Sequence, residues 1–430
     1  MASASGLSSL GEHDSFEVTV DRISCLPWHV LNIILGKLSI VDAVRTSILS
    51  KDWQYKWLSL SKLNIDSRVI GRELNNEDLR WDIVSNIINR FFLNHSSAIK
   101  EVSLKTFCSE HYSDLYQWIR YLSEQDVEIM SVEEFSNERF VIPSFFFTFK
   151  KLQFLFLKSC AIQIPSHFQR FKLLRTLFLV DISITDDDLH HLLVGSPLLV
   201  KLVLLRISGL KHLRISFPRL AALQIDIGME DIVIGASAHL SVVSILKSSD
   251  NEKIIHWPSV IRCLSSLDAL GTLVLCGDFI KILAANYGLE NLPLRNNSLW
   301  FLTLFDVRFE SIEVFKVFLS LLSSCPNISH FQFVVKAAKG PKLITRFLRE
   351  NKGRFSFPKL KSVVVTCHSG VGMGCTINFI EFLGAHSPNL TYLRIGKGGD
   401  PESQMNTTRL TNMLSRLRKL CPHALVLYTR

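Results

Sequence analysis

A recurring spacing of apolar residues constrains the fold of this chain more than any other feature of its sequence. An apolar residue occupies the first, fourth and sixth positions of a short frame, which occurs thirteen times between 99–104 and 390–395. Because 47% of the 430 residues are hydrophobic, one frame arises by chance at about one start position in ten, so only the recurrence is informative. All but two of the steps between frames span 20 to 32 residues. Units of this length bury their apolar faces only when stacked, so the sequence predicts a solenoid.

The step length is typical of leucine-rich repeats, which run about 20 to 29 residues. Several return segments also carry helix signals: Thr185 with the aspartates at 186–188 forms a capping box, and 310–324 and 378–385 are apolar on one face. The close spacing of the frames over 199–225 predicts repeats with a very short return path. We therefore expect an α/β fold, an arc-shaped irregular solenoid of parallel strands with helical or loop return segments.

The segment from residue 21 to residue 58 precedes the frames and has a different pattern. Apolar residues recur in it at helical spacing, and Pro27 stands where a first helical turn tolerates its missing N–H. The apolar positions are Leu26, Val30, Leu31, Ile34, Leu38, Val44, Ile48 and Trp53. A module of fewer than about 40 residues rarely buries this much apolar surface against itself, so the pattern predicts a partner.

This segment closely resembles the F-box of plant proteins that combine an F-box, leucine-rich repeats and a C-terminal FBD segment. The matching residues are Asp21–Ser24, Leu26–Pro27, Ile33–Leu35, Asp42–Ser47, Leu49–Lys51, Trp53 and Trp57. Two positions depart from the family pattern: Trp28 replaces an acidic residue and Ser39 replaces a proline. Neither lies on the apolar stripe. Residues 355–396 resemble the FBD segment more loosely, through Phe357–Lys361 and Ile377–Leu383.

The predicted organisation follows from these patterns. Residues 1–20 are polar and rich in small residues, which predicts a disordered tail. The F-box spans 21–65, and 59–76 is interpreted as a connector. The solenoid spans 80–354, the FBD-like segment 355–396, and a C-terminal cap 397–430.

The resemblance implies that the F-box binds a Skp-type adaptor and, through it, a cullin, while the repeats bind a protein substrate of unknown identity. On this interpretation the chain is the non-catalytic receptor subunit of a ubiquitin ligase. The implied adaptor contacts are Leu26, Pro27, Val30, Leu31, Ile34, Leu38, Val44, Ile48 and Trp53. Two alternatives stay open: an adaptor-independent binding scaffold in which the F-box is only a structural cap, and a sensor of polyphosphate or small molecules.

Charge and cysteine content limit the partners and the cellular compartments that the sequence predicts. The net charge of +9 favours an acidic partner but does not demand nucleic acid. Lys342, Arg346 and Arg349 share one predicted helix face and form a candidate patch for such a partner. Nine cysteines occur without a C-x-x-C pair, and no stretch of 18 apolar residues predicts a membrane span. We expect an intracellular protein of the nucleus, the cytoplasm or both.

No catalytic residue, metal site or cofactor is predicted. Asp186–Asp188 with His190 and His191 diverge around one helix instead of converging on a point. Cys367, His368 and Cys375 lack a second ligand pair at zinc spacing. The glycines of 370–374 satisfy neither phosphate-binding fingerprint.

Overall fold

The computed structural model describes residues 23–66, 77–95, 97–106, 112–134, 139–226, 231–235, 239–247, 261, 264–286, 295–336, 342–351, 353–368, 373–397 and 407–429. The predicted tail over 1–20 lies outside them, as do Asp21, Arg22 and the glycines at 370 and 372.

Short helical elements form the N-terminal module. Helix α1 spans Trp28–Leu35 and helix α2 spans Ile40–Arg45; three 3-10 turns follow at Thr46–Ile48, Lys51–Trp53 and Lys56–Ser59. Pro27 is the N-cap of α1, one position before the first helical residue. Ser39 caps α2, because its hydroxyl accepts a hydrogen bond from the Asp42 backbone N–H. Ser39 thus starts the helix at a position where the family pattern has proline.

Helices and strands alternate through the rest of the chain. The remaining helices are α3 (Glu77–Asn94), α4 (Tyr112–Ser123), α5 (Asp186–Val194), α6 (Gly277–Asn286), α7 (Ile312–Ser323), α8 (Lys342–Glu350), α9 (Met373–Ala385) and α10 (Thr407–Leu420). The strands are β1 (Lys62–Asp66), β2 (Glu101–Thr106), β3 (Ile129–Glu134), β4 (Phe140–Val141), β5 (Phe154–Lys158), β6 (Cys160–Ala161), β7 (Thr176–Val180), β8 (Lys201–Leu205), β9 (His212–Ile215), β10 (Ala222–Asp226), β11 (Asp231–Ile234), β12 (Val242–Leu246), β13 (Thr272–Cys276), β14 (Phe301–Val307), β15 (His330–Val335), β16 (Ser362–Cys367), β17 (Tyr392–Lys397) and β18 (Leu425–Thr429).

Fourteen of these strands form one parallel sheet. Its spatial order is β1-β2-β3-β5-β7-β8-β10-β12-β13-β14-β15-β16-β17-β18, so each strand lies beside the strand of the next repeat. The parallel register aligns the fourth and sixth frame positions into two columns, which run from Leu63 to Val426 and from Ile65 to Tyr428. These columns face the return segments, and the core lies between the sheet and those segments. Stacking therefore buries what no single repeat could bury.

Twelve of the thirteen frames lie on strands of this sheet, and the frame over 210–215 does not. Its strand β9 pairs with β11 in a separate two-stranded sheet, while β8 and β10 are direct neighbours in the main sheet. The prediction of a very short return path over 199–225 is therefore wrong. Leu210, Leu213 and Ile215 are buried because a strand of the return segment also packs on the core, and such a strand has the same alternation.

One repeat strand went unrecognised in the sequence. Lys62–Asp66 forms β1 inside the segment interpreted as a connector, and Leu60, Leu63 and Ile65 repeat the frame with all three side chains buried. The sheet therefore begins directly after the last 3-10 turn of the N-terminal module. At the other end, the FBD-like segment supplies β16, α9 and β17, and α10 with β18 completes the array.

The N-terminal module packs onto the first repeat. Helix α2 contacts α3 and β1, and the Trp57 ring lies 6.1 Å from the Phe91 ring of α3. The ring Nδ1 of His95, just after α3, donates a hydrogen bond of 2.6 Å to the Leu58 carbonyl. Module and solenoid are thus joined by apolar packing and a half-buried hydrogen bond. Within the described ranges, no helix has both the length and the apolar character to cross a membrane.

Candidate functional site

The N-terminal module exposes large apolar side chains to solvent. Ile48 is 87% exposed and Ile33 is 64% exposed, although both are aliphatic. The exposed apolar residues of the module are Ile23, Trp28, Ile33, Ile34, Ile48, Leu49 and Tyr55, and Pro27 is exposed beside them. Scattered single residues of this kind are common on surfaces, but a concentration in one small module is typical of an interaction site.

The opposite side of the same elements is buried. Leu31 and Leu35, one helical turn apart on α1, lie in the core, as do Ile40, Val41 and Ala43 of α2. The nine predicted contact residues divide accordingly. Pro27, Ile34 and Ile48 are exposed; Leu26, Val30, Leu38 and Val44 are half-buried; Leu31 and Trp53 are buried. In this conformation Leu31 and Trp53 support the module from inside, and only the exposed members are free to meet a partner.

Polar contacts fix the shape of this surface. The Trp53 indole N–H donates to the Ser24 hydroxyl at 2.6 Å, which holds the chain ahead of α1 against the second 3-10 turn. The Lys56 ammonium lies 4.7 Å from the centre of the Trp53 ring. Asp42 binds the Ser39 hydroxyl and the Arg45 guanidinium, the latter at 3.1 Å. The exposed aliphatic residues therefore stand on short, capped elements.

Sequence reasoning missed Trp28, Ile33, Leu49 and Tyr55 as surface residues of the module. The i, i+4 pattern through Leu26, Val30 and Ile34 was interpreted as the contact stripe, yet on α1 the buried pair is Leu31 and Leu35. A helix that is apolar nearly all round gives no sign of which side the rest of the chain covers. The sequence did contain one signal of an exposed apolar surface: α1 has more apolar residues than one buried stripe needs.

The predicted basic patch is weaker than its sequence indicated. Lys342 begins α8, but its side chain lies outside the described part. Arg346 and Arg349 are both exposed, and the Arg346 Nε donates to the Glu350 carboxylate at 2.7 Å. This contact raises the pKa of Arg346 and offsets its charge. A role for this patch stays a prediction.

The acidic helix start over 186–188 has a structural role. Asp188 accepts hydrogen bonds from the Thr185 hydroxyl and from the Ile164 backbone N–H. Asp186 accepts from the backbone N–H groups of Lys211 and His212. These carboxylates therefore tie one repeat to its neighbours through backbone groups. Among the described residues, no cluster of three or more histidine, cysteine or acidic side chains could hold a metal ion.

Five of the six described cysteines are buried, and Cys25 is exposed. Cys160, Cys276, Cys325 and Cys367 are buried, and none of them forms a disulfide. Burial raises the pKa of the Cys276, Cys325 and Cys367 thiols to about 11, so they are protonated at neutral pH. A protonated thiol is a poor nucleophile and a poor metal ligand. Cys375 and its neighbouring glycines stay outside the described side chains.

Two family models match this chain. The F-box domain model matches residues 23–64, and the model of the leucine-rich repeats of the FBD-associated F-box protein At5g56370 matches residues 115–329. The second match covers half of the chain. Both matches fall on the elements described above: the exposed apolar module with β1, and the repeats from α4 to the turn before β15.

Curated relatives from Arabidopsis thaliana match as well. The F-box/FBD/LRR-repeat protein At1g13570 is 28% identical over 423 residues, which cover 95% of this chain and 98% of that protein. The F-box/LRR-repeat protein At5g02910 is 28% identical over 43% of this chain and 39% of its own. The F-box protein At3g60790 is 46% identical over 67 residues, 16% of this chain and 14% of its own.

Among solved structures, a leucine-rich-repeat protein of Leptospira interrogans, LIC12759, matches 85% of this chain and 95% of its own. Its sequence identity is 14% and its TM-score is 0.30. A likeness this distant adds nothing to the description of the fold.

Proposed function

The chain belongs to the plant F-box/FBD/leucine-rich-repeat protein family, and on that premise we propose that it is the substrate-recognition subunit of an SCF-type ubiquitin-protein ligase. In such a complex a Skp-type adaptor links the F-box protein to a cullin. The F-box binds the adaptor, and the repeats bind a target protein. The outcome is ubiquitination of the target and its degradation by the proteasome, in the nucleus, the cytoplasm or both.

The observation that carries this proposal is the exposed apolar surface of the F-box. Ile33, Ile34, Ile48 and Leu49 stand in solvent while the other side of the module packs on α3 and β1. Burying one aliphatic side chain contributes about 1.5–3 kcal/mol, so a few such contacts offset the cost of association. We therefore place the adaptor on Pro27, Ile33, Ile34, Ile48 and Leu49.

The chain contributes proximity in this scheme. A substrate held on the repeats and a ubiquitin-conjugating enzyme held through the cullin meet at a high effective concentration, without a new contact between them. The reactive groups then belong to the ligase's other subunits and to the conjugating enzyme.

Co-purification with a Skp-type adaptor and a cullin tests the proposal. The tagged full-length chain is compared with an Ile33→Ser/Ile48→Ser variant. Both side chains are exposed, so the change removes apolar contact surface without opening a cavity. Loss of two buried aliphatic contacts is expected to weaken adaptor binding by on the order of 100-fold or more. The wild-type chain should capture adaptor and cullin, and the variant should capture neither.

The matched control is Leu93→Ser on α3. Leu93 is 84% exposed and aliphatic, but it lies outside the F-box. This variant should capture the adaptor like the wild type. If the wild-type chain captures no adaptor, the module is only a structural cap and the chain an adaptor-independent scaffold. If the F-box and control variants bind adaptor equally well, the contact surface lies elsewhere.

A further inference from the structure

The side chains on the solvent-facing side of the main sheet change from charged to aromatic along the solenoid. Side chains alternate along each strand, so those between the two buried columns point away from the core. On the first strands the solvent-facing positions just outside the two columns are charged and paired across neighbouring strands. Lys62 binds Glu101, and Lys105 and Lys158 both bind Glu133, at 3.1 and 3.8 Å. This part of the sheet neutralises its own charge.

Beyond these ion pairs the same side of the sheet becomes aromatic. Phe154 and Phe156 lie on β5, and Phe178 lies beside Phe156 on β7. The Phe178 ring lies 5.5 Å from the Phe154 ring and 6.0 Å from the Phe156 ring. All three are only half-buried, although phenylalanines on the other side of the sheet are fully buried. The parallel register thus assembles a small aromatic surface from two repeats.

A lysine completes this surface. Lys201, on the adjacent strand β8, is exposed, and its ammonium lies 5.0 Å from the centre of the Phe178 ring. We call Phe154, Phe156, Phe178 and Lys201 the Phe–Lys patch. In contrast to Lys62, Lys105 and Lys158, Lys201 forms no ion pair with a carboxylate of the described residues. The ring orients the ammonium without neutralising it.

We propose that the Phe–Lys patch binds a segment of the substrate protein that carries an aromatic or large aliphatic side chain next to a carboxylate. This inference rests on the proposed function and specifies the chemistry of the target. The apolar side chain would cover the half-exposed rings, and the carboxylate would pair with Lys201. Aromatic residues are enriched at the centres of protein interfaces.

Charge complementarity favours an acidic, apolar occupant over other classes. A basic segment would be repelled by Lys201 and would leave it unpaired. A purely apolar segment would cover the rings but would desolvate the ammonium without compensation. Lys158, two residues after Phe156 on β5, is paired with Glu133, whereas Lys201 has no carboxylate partner among the described residues.

A peptide selection on the full-length chain bound to its adaptor tests the inference. The probe is a display library of random twelve-residue peptides. Peptides enriched on the wild-type complex are compared with those enriched on complexes that carry Phe178→Ser, Lys201→Glu or Lys201→Arg. We expect the wild type to enrich peptides with Asp or Glu close to an aromatic or large aliphatic residue. Lys201→Arg should enrich the same peptides, and Lys201→Glu should instead favour peptides with Lys or Arg.

Affinities of the enriched peptides then localise the site. Phe178→Ser and Lys201→Glu should each weaken binding by about tenfold or more, as loss of a central interface residue does. Phe301→Ser and Lys361→Glu are the matched controls. Phe301 is a half-buried phenylalanine on the same side of β14, and Lys361 is an exposed lysine just before β16. Both controls should bind the peptides like the wild type.

Two results would overturn the inference: enrichment of no peptide by the wild-type complex, or enrichment of peptides that bind the Phe178 and Lys201 variants equally well. Peptides that require Phe178 but contain no acidic residue would overturn the role of Lys201. Adaptor capture is measured in the same samples. A chain that captures adaptor but selects no acidic, apolar peptide loses this inference alone, whereas a chain that captures no adaptor loses the proposed function.

Discussion

Aliphatic side chains have opposite surroundings in the F-box and in the repeats. Ile48 of the F-box is 87% exposed, whereas Leu202 of β8 is 0% exposed. Leu202 lies in a column between Leu177 and Leu223, with neighbouring strands on both sides and a return segment over it. Ile48 lies on the first 3-10 turn of a module whose main contacts with the described part of the solenoid are at α3 and β1.

This difference explains what each region can do. A repeat array satisfies its apolar residues from within, because every unit except the last is covered by the next one. The F-box is a single small unit with apolar residues on two sides, and the solenoid covers only one of them. The uncovered side is where we propose that the adaptor binds.

The largest difference in stability between the two regions is expected when one buried phenylalanine of the repeats is truncated. Phe318 of α7 is fully buried, and its ring lies 5.1 Å from Phe379 and 5.3 Å from Phe309. Phe318→Ala should lower the free energy of unfolding by about 3–5 kcal/mol, because it leaves a cavity. Ile48→Ala in the F-box should change it by less than about 0.5 kcal/mol. Urea unfolding, followed by circular dichroism, measures both; equal losses would contradict the assignment of Ile48 to the surface.

A glycine substitution tests the close packing of the repeats at a backbone position. Gly209, in the return segment after β8, has a φ of +91°, and a Cβ added there would lie 2.6 Å from the Ile184 carbonyl oxygen. Gly209→Ala should therefore destabilise the chain by about 1–3 kcal/mol. Gly353 has no heavy atom within 4 Å of such a Cβ, so Gly353→Ala is the matched control and should not destabilise. Thermal unfolding compares the two; a neutral Gly209→Ala would mean that the repeats are not closely packed there.

The smallest effect on stability at neutral pH is expected at the contact between the F-box and the first repeat. Burial lowers the pKa of His95 from its ordinary value of 6.5, although the hydrogen bond to Leu58 opposes the shift. The unfolded chain then binds a proton more readily than the folded chain. The contribution of His95 to stability is complete above pH 6.5 and is lost as the pH falls below that value.

Replacement of His95 by glutamine tests this pH dependence. The melting temperature of the wild type is followed from about pH 7.5 to about pH 5.5, and His95→Gln should reduce its decline on acidification. His423→Gln, at an exposed histidine after α10, is the control and should leave the decline unchanged. If the melting temperatures of His95→Gln and the wild type declined equally, protonation of His95 would not be the cause of the lost stability.

Much of the solenoid could be predicted because its information is local and repeated. Twelve frames lie on the main sheet in the predicted parallel arrangement. The capping box at Thr185 starts α5, where the Thr185 hydroxyl accepts a hydrogen bond from the Asp188 backbone N–H. The frame over 210–215 was misplaced because alternation is the same in a repeat strand and in a strand of a return segment.

The family, the parallel repeat architecture and the excess of apolar residues in the F-box could all be predicted from the amino-acid sequence. Each of these depends on spacing along the chain. Three further features are visible only in the folded chain. One side of α1 is covered, and Arg346 is paired with Glu350. Phe156, Phe178 and Lys201, which come from three repeats, form one surface. Periodicity reports that a side chain is apolar and which way its element alternates. Whether that side chain is buried depends on neighbours that stacking brings from distant parts of the chain.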